Sequence, residues 1–541
     1  MSSATPAWKP GISTALKVSG SIHQQILFIC LILFAVALPT SRGVVSIVQI
    51  LLFLNWLVEG GFRQKAQRFF RDKPAVFLTS VFLIYAAGML WSQDPVHGIQ
   101  SSLKNKIPYL SLVLIVSSSP RLPWRNLRVL PVVFLLAVIF TSILGFSMYL
   151  TDAGRDPREL SPFMPHVHFS MMIIMAIALI AWFTMIFNQS KSMRFLSWLS
   201  ASLLLAFLFV MSTLTAIISI LLASMLFLAY DLKTRNIQRR TVIIATFWMI
   251  LSLALVFTII YVSRPLRKEI NPPQEELLSQ TRMGNPYTHI PSNDQRENGH
   301  LVFYFIAEEE LRTAWNERSE LDFDGYDLSG NELRKTIFRY LTSRGLKKDR
   351  EGLEKLSDSQ VEAIERGVPN YLYEDWPNVF VRVHQTLWEL QEYRRTGDPR
   401  GGSMAQRIET WKATWLAIQE KPLLGWGTGG QLKAIQFGLD KMNSHYEDFD
   451  LRHSHNQFLH MLVSFGPPGL LAFLILFILF LKRSRALQFQ PYQVLVAITL
   501  VFMFGHAPLE SQMSLNLFLF FSLYFGILID RERSHEGFIY L

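Results

Sequence analysis

Cysteine is nearly missing from this chain. The one thiol, Cys30, lies inside the first apolar stretch, so no disulfide can brace the molecule even in an oxidising compartment. Charge is scarce too: 17% of the 541 residues are charged, against 50% hydrophobic residues and 41 Phe. With a positive mean hydropathy of +0.24, that balance puts a membrane class ahead of a multi-domain soluble one. The formal net charge of +10 raises nucleic acid as a partner, and its location answers the question. Between Ser263 and Ser454 lie 26 Lys and Arg and 31 Asp and Glu, out of 52 and 42 in the whole chain. That stretch is mildly acidic, and the basic excess sits in short connections between apolar runs. This is a signal of topology, and no nucleic-acid partner is expected.

What is present is a succession of apolar runs. They lie near Ile22–Pro39, Val44–Val58, Pro74–Trp91, Ile107–Ser119, Asn126–Leu150, His166–Asn188, Phe195–Met211, Thr213–Tyr230 and Thr241–Val262. Three more follow, near Asn456–Leu481, Tyr492–Pro508 and Ser511–Ile529. Twelve spans are therefore expected, some shorter than the roughly 20 residues of a straight crossing and hence tilted or re-entrant. Lys17 before an apolar run, with Ala35-Val36-Ala37 after it, imitates a secretory signal. The run is long and a second follows at once, which fits an uncleaved first helix. With a cytoplasmic N-terminus, the basic clusters at Arg63–Lys73, Arg121–Arg128, Lys191–Arg194, Lys233–Arg240, Lys482–Arg485 and Arg531–Arg533 all fall on one side. The positive-inside rule then places both termini in the cytoplasm and the long loop outside. The expected division is a membrane domain over 1–262, a loop domain over 263–455 and a second membrane part over 456–541.

The loop reads as short helices. Ser357-Asp358-Ser359-Gln360 fits a capping box, Val361 and Ile364 share a face, and Gly367 ends the helix. Val383 to Tyr393 is amphipathic, with Leu387, Trp388 and Leu390 near one stripe. Arg407 to Trp415 has a helical pattern and leads into Lys421-Pro422-Leu423-Leu424-Gly425-Trp426-Gly427-Thr428-Gly429-Gly430. Gly425, Gly427 and Gly430 have dinucleotide-fingerprint spacing, but no strand precedes them; a tight turn near the membrane or a ligand is the better reading.

The chemistry-bearing stretch closes the loop: Arg452-His453-Ser454-His455-Asn456-Gln457-Phe458-Leu459-His460, then Gly466-Pro467-Pro468-Gly469. His455-Asn456, nine residues, Gly466, two residues and Gly469 resemble the signature of the O-antigen ligase and polymerase superfamily. The resemblance extends to the Arg407-x-x-x-Trp411 helix, the Pro-Leu-Leu-Gly-Trp-Gly turn and the many-span plan with one large late loop. It implies an all-α polytopic membrane protein of the C class of glycosyltransferases, in a bacterial inner membrane. Its donor would be an undecaprenyl-pyrophosphate-linked glycan and its acceptor a lipid A core or another glycan, with neither nucleotide sugar, metal nor other cofactor.

Such a reaction needs a base for a sugar hydroxyl and cations for a pyrophosphate leaving group. His455 is the candidate base, and Arg407, matching the family's loop arginine, the candidate phosphate ligand. Arg452, Arg264 and Arg42 are further candidate donor contacts, as are Arg267 and Arg282; Asn456 either caps the next helix or orients His455. Where the family often carries an arginine at the outer start of a middle span, this chain has Met211-Ser212-Thr213-Leu214-Thr215-Ala216, so Arg42 is the expected substitute. His453, His455 and His460 lack a carboxylate or cysteine set at ligand spacing, and His166 and His168 read as interfacial residues. Trp411, Trp415 and Trp426 suit an interfacial belt or sugar stacking. Ligase is the leading reading and polymerase the alternative. A transporter, the reading of another class, would require charge inside the spans, where almost none is found.

Overall fold

The structure, a computed structural model, describes residues 21–151, 159–186, 190–234, 238–274, 276–444 and 454–529. Each of the twelve apolar runs lies on a helix. In the N-terminal part these are α1 (Ile22–Thr40), α2 (Arg42–Val58), the short amphipathic α3 (Phe62–Arg71), α4 (Lys73–Gly88) and α5 (Lys104–Ser118). Next come α6 (Val129–Thr151), α7 (His166–Ile186), α8 (Lys191–Val210), α9 (Leu214–Thr234) and α10 (Gln238–Ser263). The loop contributes α11 (Glu308–Arg318), α12 (Leu333–Ser343), α13 (Asp358–Glu365), α14 (Asn378–Thr396), α15 (Ser403–Glu420) and α16 (Gln431–Lys441). The chain closes with α17 (Gln457–Ser484), α18 (Gln490–Gly505) and α19 (Gln512–Leu523).

Polar side chains mark where these apolar helices begin. Ser21, Ser41, Asp72, Ser190 and Asn456 cap α1, α2, α4, α8 and α17, each accepting from backbone N–H groups of the first turn. Six helices are long and apolar enough to cross a membrane: Ile22–Thr40, Lys73–Trp91, Trp124–Thr151, His166–Met185, Lys191–Val210 and Gln457–Ser484. The pair α2 and α3, bent by 118°, makes a seventh if counted as one span. The all-α membrane-type fold is therefore present, while helix length by itself accounts for six or seven of the twelve expected crossings among the described residues.

Contacts gather the described residues into two compact units. One falls within Met1–Thr151, Pro157–Asn236 and Arg407–Leu541, the other within Ile237–Gln406. In the first, α4 packs on α17, α1 on α2 and α6, and α9 on α18. Its core is aromatic, with Phe34, Phe134, Tyr492, Phe521 and Tyr524 all essentially sealed from solvent.

The second unit has its own core of Trp315, Phe323, Ile337, Tyr340, Leu341, Leu353 and Ile364. The Ser357 capping box forms, with Gln360 Oε1 accepting from the Ser357 N–H at 3.1 Å, and Gly367 follows α13 at φ +88°. The only named strands among the described residues, Arg296–Glu297 and His300–Leu301, pair antiparallel with Glu297 opposite His300. Glu297 is fully buried, and Arg339 and Asn370 both bond its carboxylate. Along α14 the buried stripe is Val383, His384, Trp388 and Tyr393, whereas Leu387 and Leu390 are half-buried. His384 is sheltered because Tyr373 bonds its ring at 2.9 Å.

Candidate active site

The glycine turn and the double proline explain one another. In a regular helix the carbonyls of Val463 and Ser464 would accept from residues 467 and 468, but both are prolines and have no N–H. The two carbonyls instead accept from the backbone N–H groups of Trp426 and Gly427, each at 2.8 Å. Buried backbone acceptors are rarely left unpaired, so the turn supplies the donors that the prolines remove. Gly466 bends α17 there, with φ +63° and ψ −174°.

The approach is close enough to require glycine. A Cβ on Gly427, at φ +77°, would overlap the backbone of Ser92, and one on Gly466 would overlap the carbonyl of Leu423. From the other side, Thr428 donates its N–H to Gly88 O at 3.0 Å and its hydroxyl to Tyr85 O at 2.6 Å. The turn thus joins the C-terminal end of α15 to α4 and α17 at once.

Arg407 starts the part of α15 that belongs to the first unit, and His455 stands immediately before the capped start of α17. The Asn456 side-chain oxygen accepts from the N–H groups of Phe458 and Leu459, both at 3.0 Å, and its Nδ2 donates to Phe504 O at 3.1 Å. His455 itself takes φ +49°, a left-handed conformation uncommon for a residue with a Cβ. That turn brings its ring to 6.5 Å, centroid to centroid, from His506, which follows α18. Arg407 Nη2 lies 3.4 Å from His506 Nε2. Burial first, and then the Arg407 guanidinium, hold the His455 ring down to about pKa 4, so it is neutral at pH 7.

Further polar groups gather around this trio. His166 and His168, at the start of α7, lie within electrostatic range of His506, and Arg42 within range of His168. The His168 ring bonds the Ser514 hydroxyl at 2.7 Å. Gly505 faces both Arg407 Nη1 and the hydroxyl of Thr215. Thr215 belongs to the segment where an arginine was expected.

Glu510, four residues after His506, is the centre of a buried ion-pair hub. Glu510 is 5% exposed; Lys106 at 2.8 Å and His460 at 3.2 Å meet one carboxylate oxygen, while Tyr85 at 2.6 Å and Gln457 at 2.8 Å donate to the other. Lys106 also donates to Leu509 O at 2.5 Å, and Gln457 Oε1 accepts from the Leu509 N–H at 3.1 Å. The turn that carries His506 is thereby tied to α4, α5 and the first turn of α17.

The sequence-level candidates separate accordingly. His455, Arg407, Asn456 and Arg42 all belong to the first unit. Asn456 spends both ends of its amide on the cap and on Phe504. Arg264 belongs to the second unit, exposed, with its guanidinium 6.0 Å from the Tyr261 ring. Arg452 and His453 lie outside the described residues. Trp426 is buried, donating to Ala417 O at 2.9 Å; Trp415 is half exposed and Trp411 half-buried.

His506 was missed because it falls inside the apolar run Tyr492–Pro508. The signal available was Gly505-His506-Ala507-Pro508-Leu509-Glu510, a cluster of helix-breaking and ionisable residues between two apolar runs. Lys106 and Glu510, just outside the runs read as spans, were missed as a pair; both are buried, and each neutralises the other. Among the described residues no group of three or more His, Cys, Asp or Glu is arranged to hold a metal ion.

In a comparison with known families, the family model described as O-antigen ligase matches residues 367–474. The match supports the O-antigen ligase and polymerase superfamily and a membrane glycosyltransferase-type activity, with a lipid-linked glycan donor and a glycan acceptor. It includes Arg407, the glycine turn, His455 and Gly466 but ends before His506 and Glu510. Among curated proteins, none matches the chain.

Proposed function

We propose that this protein is an O-antigen ligase-like glycosyltransferase, moving an undecaprenyl-pyrophosphate-linked glycan onto a lipid A core hydroxyl at the periplasmic face of a bacterial inner membrane. The observation that carries the reading is the meeting of Arg407 and His455, from separate motifs, with His506 beside both. His455, neutral at pH 7, takes the proton of the acceptor hydroxyl as its oxygen bonds to the anomeric carbon. The bond from that carbon to the pyrophosphate oxygen breaks on the opposite side, which inverts the configuration. Arg407 meets the charge left on the pyrophosphate, and His506 at 3.4 Å fixes the guanidinium. Arg42, within electrostatic range of His168, is the second donor contact in this reading.

His455→Ala is expected to abolish transfer from purified lipid-linked glycan while the protein still inserts and folds. Full activity of that variant sinks the mechanism. A gel of cell-surface glycolipid from a deletion strain separates the two reactions of the superfamily. Loss of all glycan from the core means ligase, and addition of single repeats means polymerase.

A further inference from the structure

The strongest feature that the transfer reaction leaves unused is α3, at the opposite end of α2 from Arg42. Its sequence, Phe62-Arg63-Gln64-Lys65-Ala66-Gln67-Arg68-Phe69-Phe70-Arg71, is strongly amphipathic. At helical spacing Phe62, Lys65, Ala66, Phe69 and Phe70 share one half, and Arg63, Gln64, Gln67, Arg68 and Arg71 the other. α3 turns by 118° from α2, which sets it nearer to perpendicular than to collinear with that apolar helix. Its apolar half is open at Phe62 and Phe70, 52% and 63% exposed.

The charges are sorted in the same sense. Lys65, the one cation on the apolar half, is buried and consumed by Glu59 at 2.8 Å and Trp56 O at 2.5 Å. Arg68 donates to Ser118 O at 3.1 Å, which ties the helix to the end of α5. Arg63, Arg71 and Lys73 are exposed and pair with no carboxylate among the described residues. Arg121 and Arg125, just beyond Ser118, are exposed as well. Of the nearby acids, Glu59 is taken by Lys65 and Asp72 caps α4 through the Ala75 N–H at 3.2 Å. The surface therefore keeps a cationic excess over its one remaining acid, Asp72, beside two exposed aromatic rings.

We propose that α3, with Lys73 and Arg121, is a docking surface for anionic phospholipid headgroups of the leaflet it faces. Phe62 and Phe70 enter the acyl boundary, and Arg63, Arg71 and Lys73 meet the lipid phosphates. The occupant follows from the chemistry: the cations require an anion, and the adjoining rings require that anion to be joined to a hydrocarbon chain. Topology alone would need the positive charge but not the exposed rings or the sequestered Lys65.

The test is native mass spectrometry of the full chain in detergent, offered equal phosphatidylglycerol and phosphatidylcholine. The wild type is expected to retain phosphatidylglycerol in preference, and inorganic phosphate not to displace it. The triple variant Arg63→Gln, Arg71→Gln, Lys73→Gln is expected to lose that preference by about fivefold per cation, roughly a hundredfold in all. Because all three side chains are exposed, folding is preserved, and an unchanged thermal unfolding midpoint verifies it. Lys482→Gln with Arg483→Gln, at the end of α17, is expected to leave the preference intact. Equal retention of the two lipids by the wild type overturns the proposal. So does a triple variant that keeps the preference, or a control pair that loses it equally.

Discussion

The sharpest consequence of the site is a pH profile that depends on whether the donor is bound. In the free protein the His455 ring is held at about 4 instead of 6.5, first by burial and then by Arg407. At about 1.4 kcal/mol per unit, this disfavours the protonated ring by roughly 3 kcal/mol. Burial is the larger cause and Arg407 the smaller. A pyrophosphate seated on Arg407 cancels that repulsion and adds negative charge, which raises the ring's proton affinity. A base that must be neutral therefore fails at lower pH in the free enzyme than in the donor complex. The assay is initial transfer rates between pH 4 and 8 with purified donor and acceptor. The acid limb of kcat/KM is expected near pH 4, and that of kcat clearly above it. Arg407→Gln is expected to raise the kcat/KM limb, while leaving it below 6.5 because burial remains, and to weaken donor binding. A kcat/KM limb at or above 6.5, or the same limb in both parameters, would refute the reasoning.

Three further outcomes test the framework around the site. Lys106→Met is expected to cost about 3–5 kcal/mol, because it strips Glu510 of its buried cation, and adding Glu510→Gln should recover part of the loss; strictly additive losses of thermal stability in detergent would contradict the ion-pair hub. Gly427→Ala and Gly60→Ala both place a Cβ at positive φ, but only at Gly427 is there backbone to strike, so Gly60→Ala should cost about 1–2 kcal/mol and Gly427→Ala substantially more; equal shifts in unfolding midpoint would show that the turn is not braced. In the second unit burial pushes Lys348 down to about pKa 7, with its ammonium on the carbonyls of Leu301 and Tyr304. The unfolded chain then binds more protons between pH 7 and 10.5, so stability should rise through that window by about 1.4 kcal/mol per unit and be flat below it; a Lys348→Met variant that keeps the slope would assign it to other groups.

Hydropathy made all twelve apolar helices legible, because each buries its own backbone and needs only composition to be found. Local chemistry was legible as well: Ser357 and Gln360 close a capping box within four residues, and Asn456 caps the helix it precedes. Pairings between distant segments were not. Lys106 and Glu510 look like unrelated boundary charges until α5 and the last hairpin are brought together. His506 carried no motif of its own, and its meaning comes from Arg407, which lies in a different helix. In α14 the apolar spacing favoured Leu387 and Leu390, but both are half-buried, while His384 is buried with its Nδ1 on the Tyr373 hydroxyl.

The first turns of α17 are the common reference for the whole site. Asn456 fixes where the helix starts, and Gly466 with the two prolines fixes where its hydrogen-bond ladder stops. Between them, Gln457 and His460 hold Glu510 and hence the turn bearing His506, while Val463 and Ser464 hold the glycine turn and hence α15 with Arg407. His455 enters from the same start in a left-handed conformation. Three side chains from three segments are thus aligned against one short helical stretch. Two prolines that would weaken an ordinary helix gain a use here: the carbonyls they expose are the seats on which the arginine-bearing segment docks. Precision in the placement of Arg407 relative to His455 therefore rests on backbone hydrogen bonds, which do not depend on side-chain rotamers and are sealed from competing water.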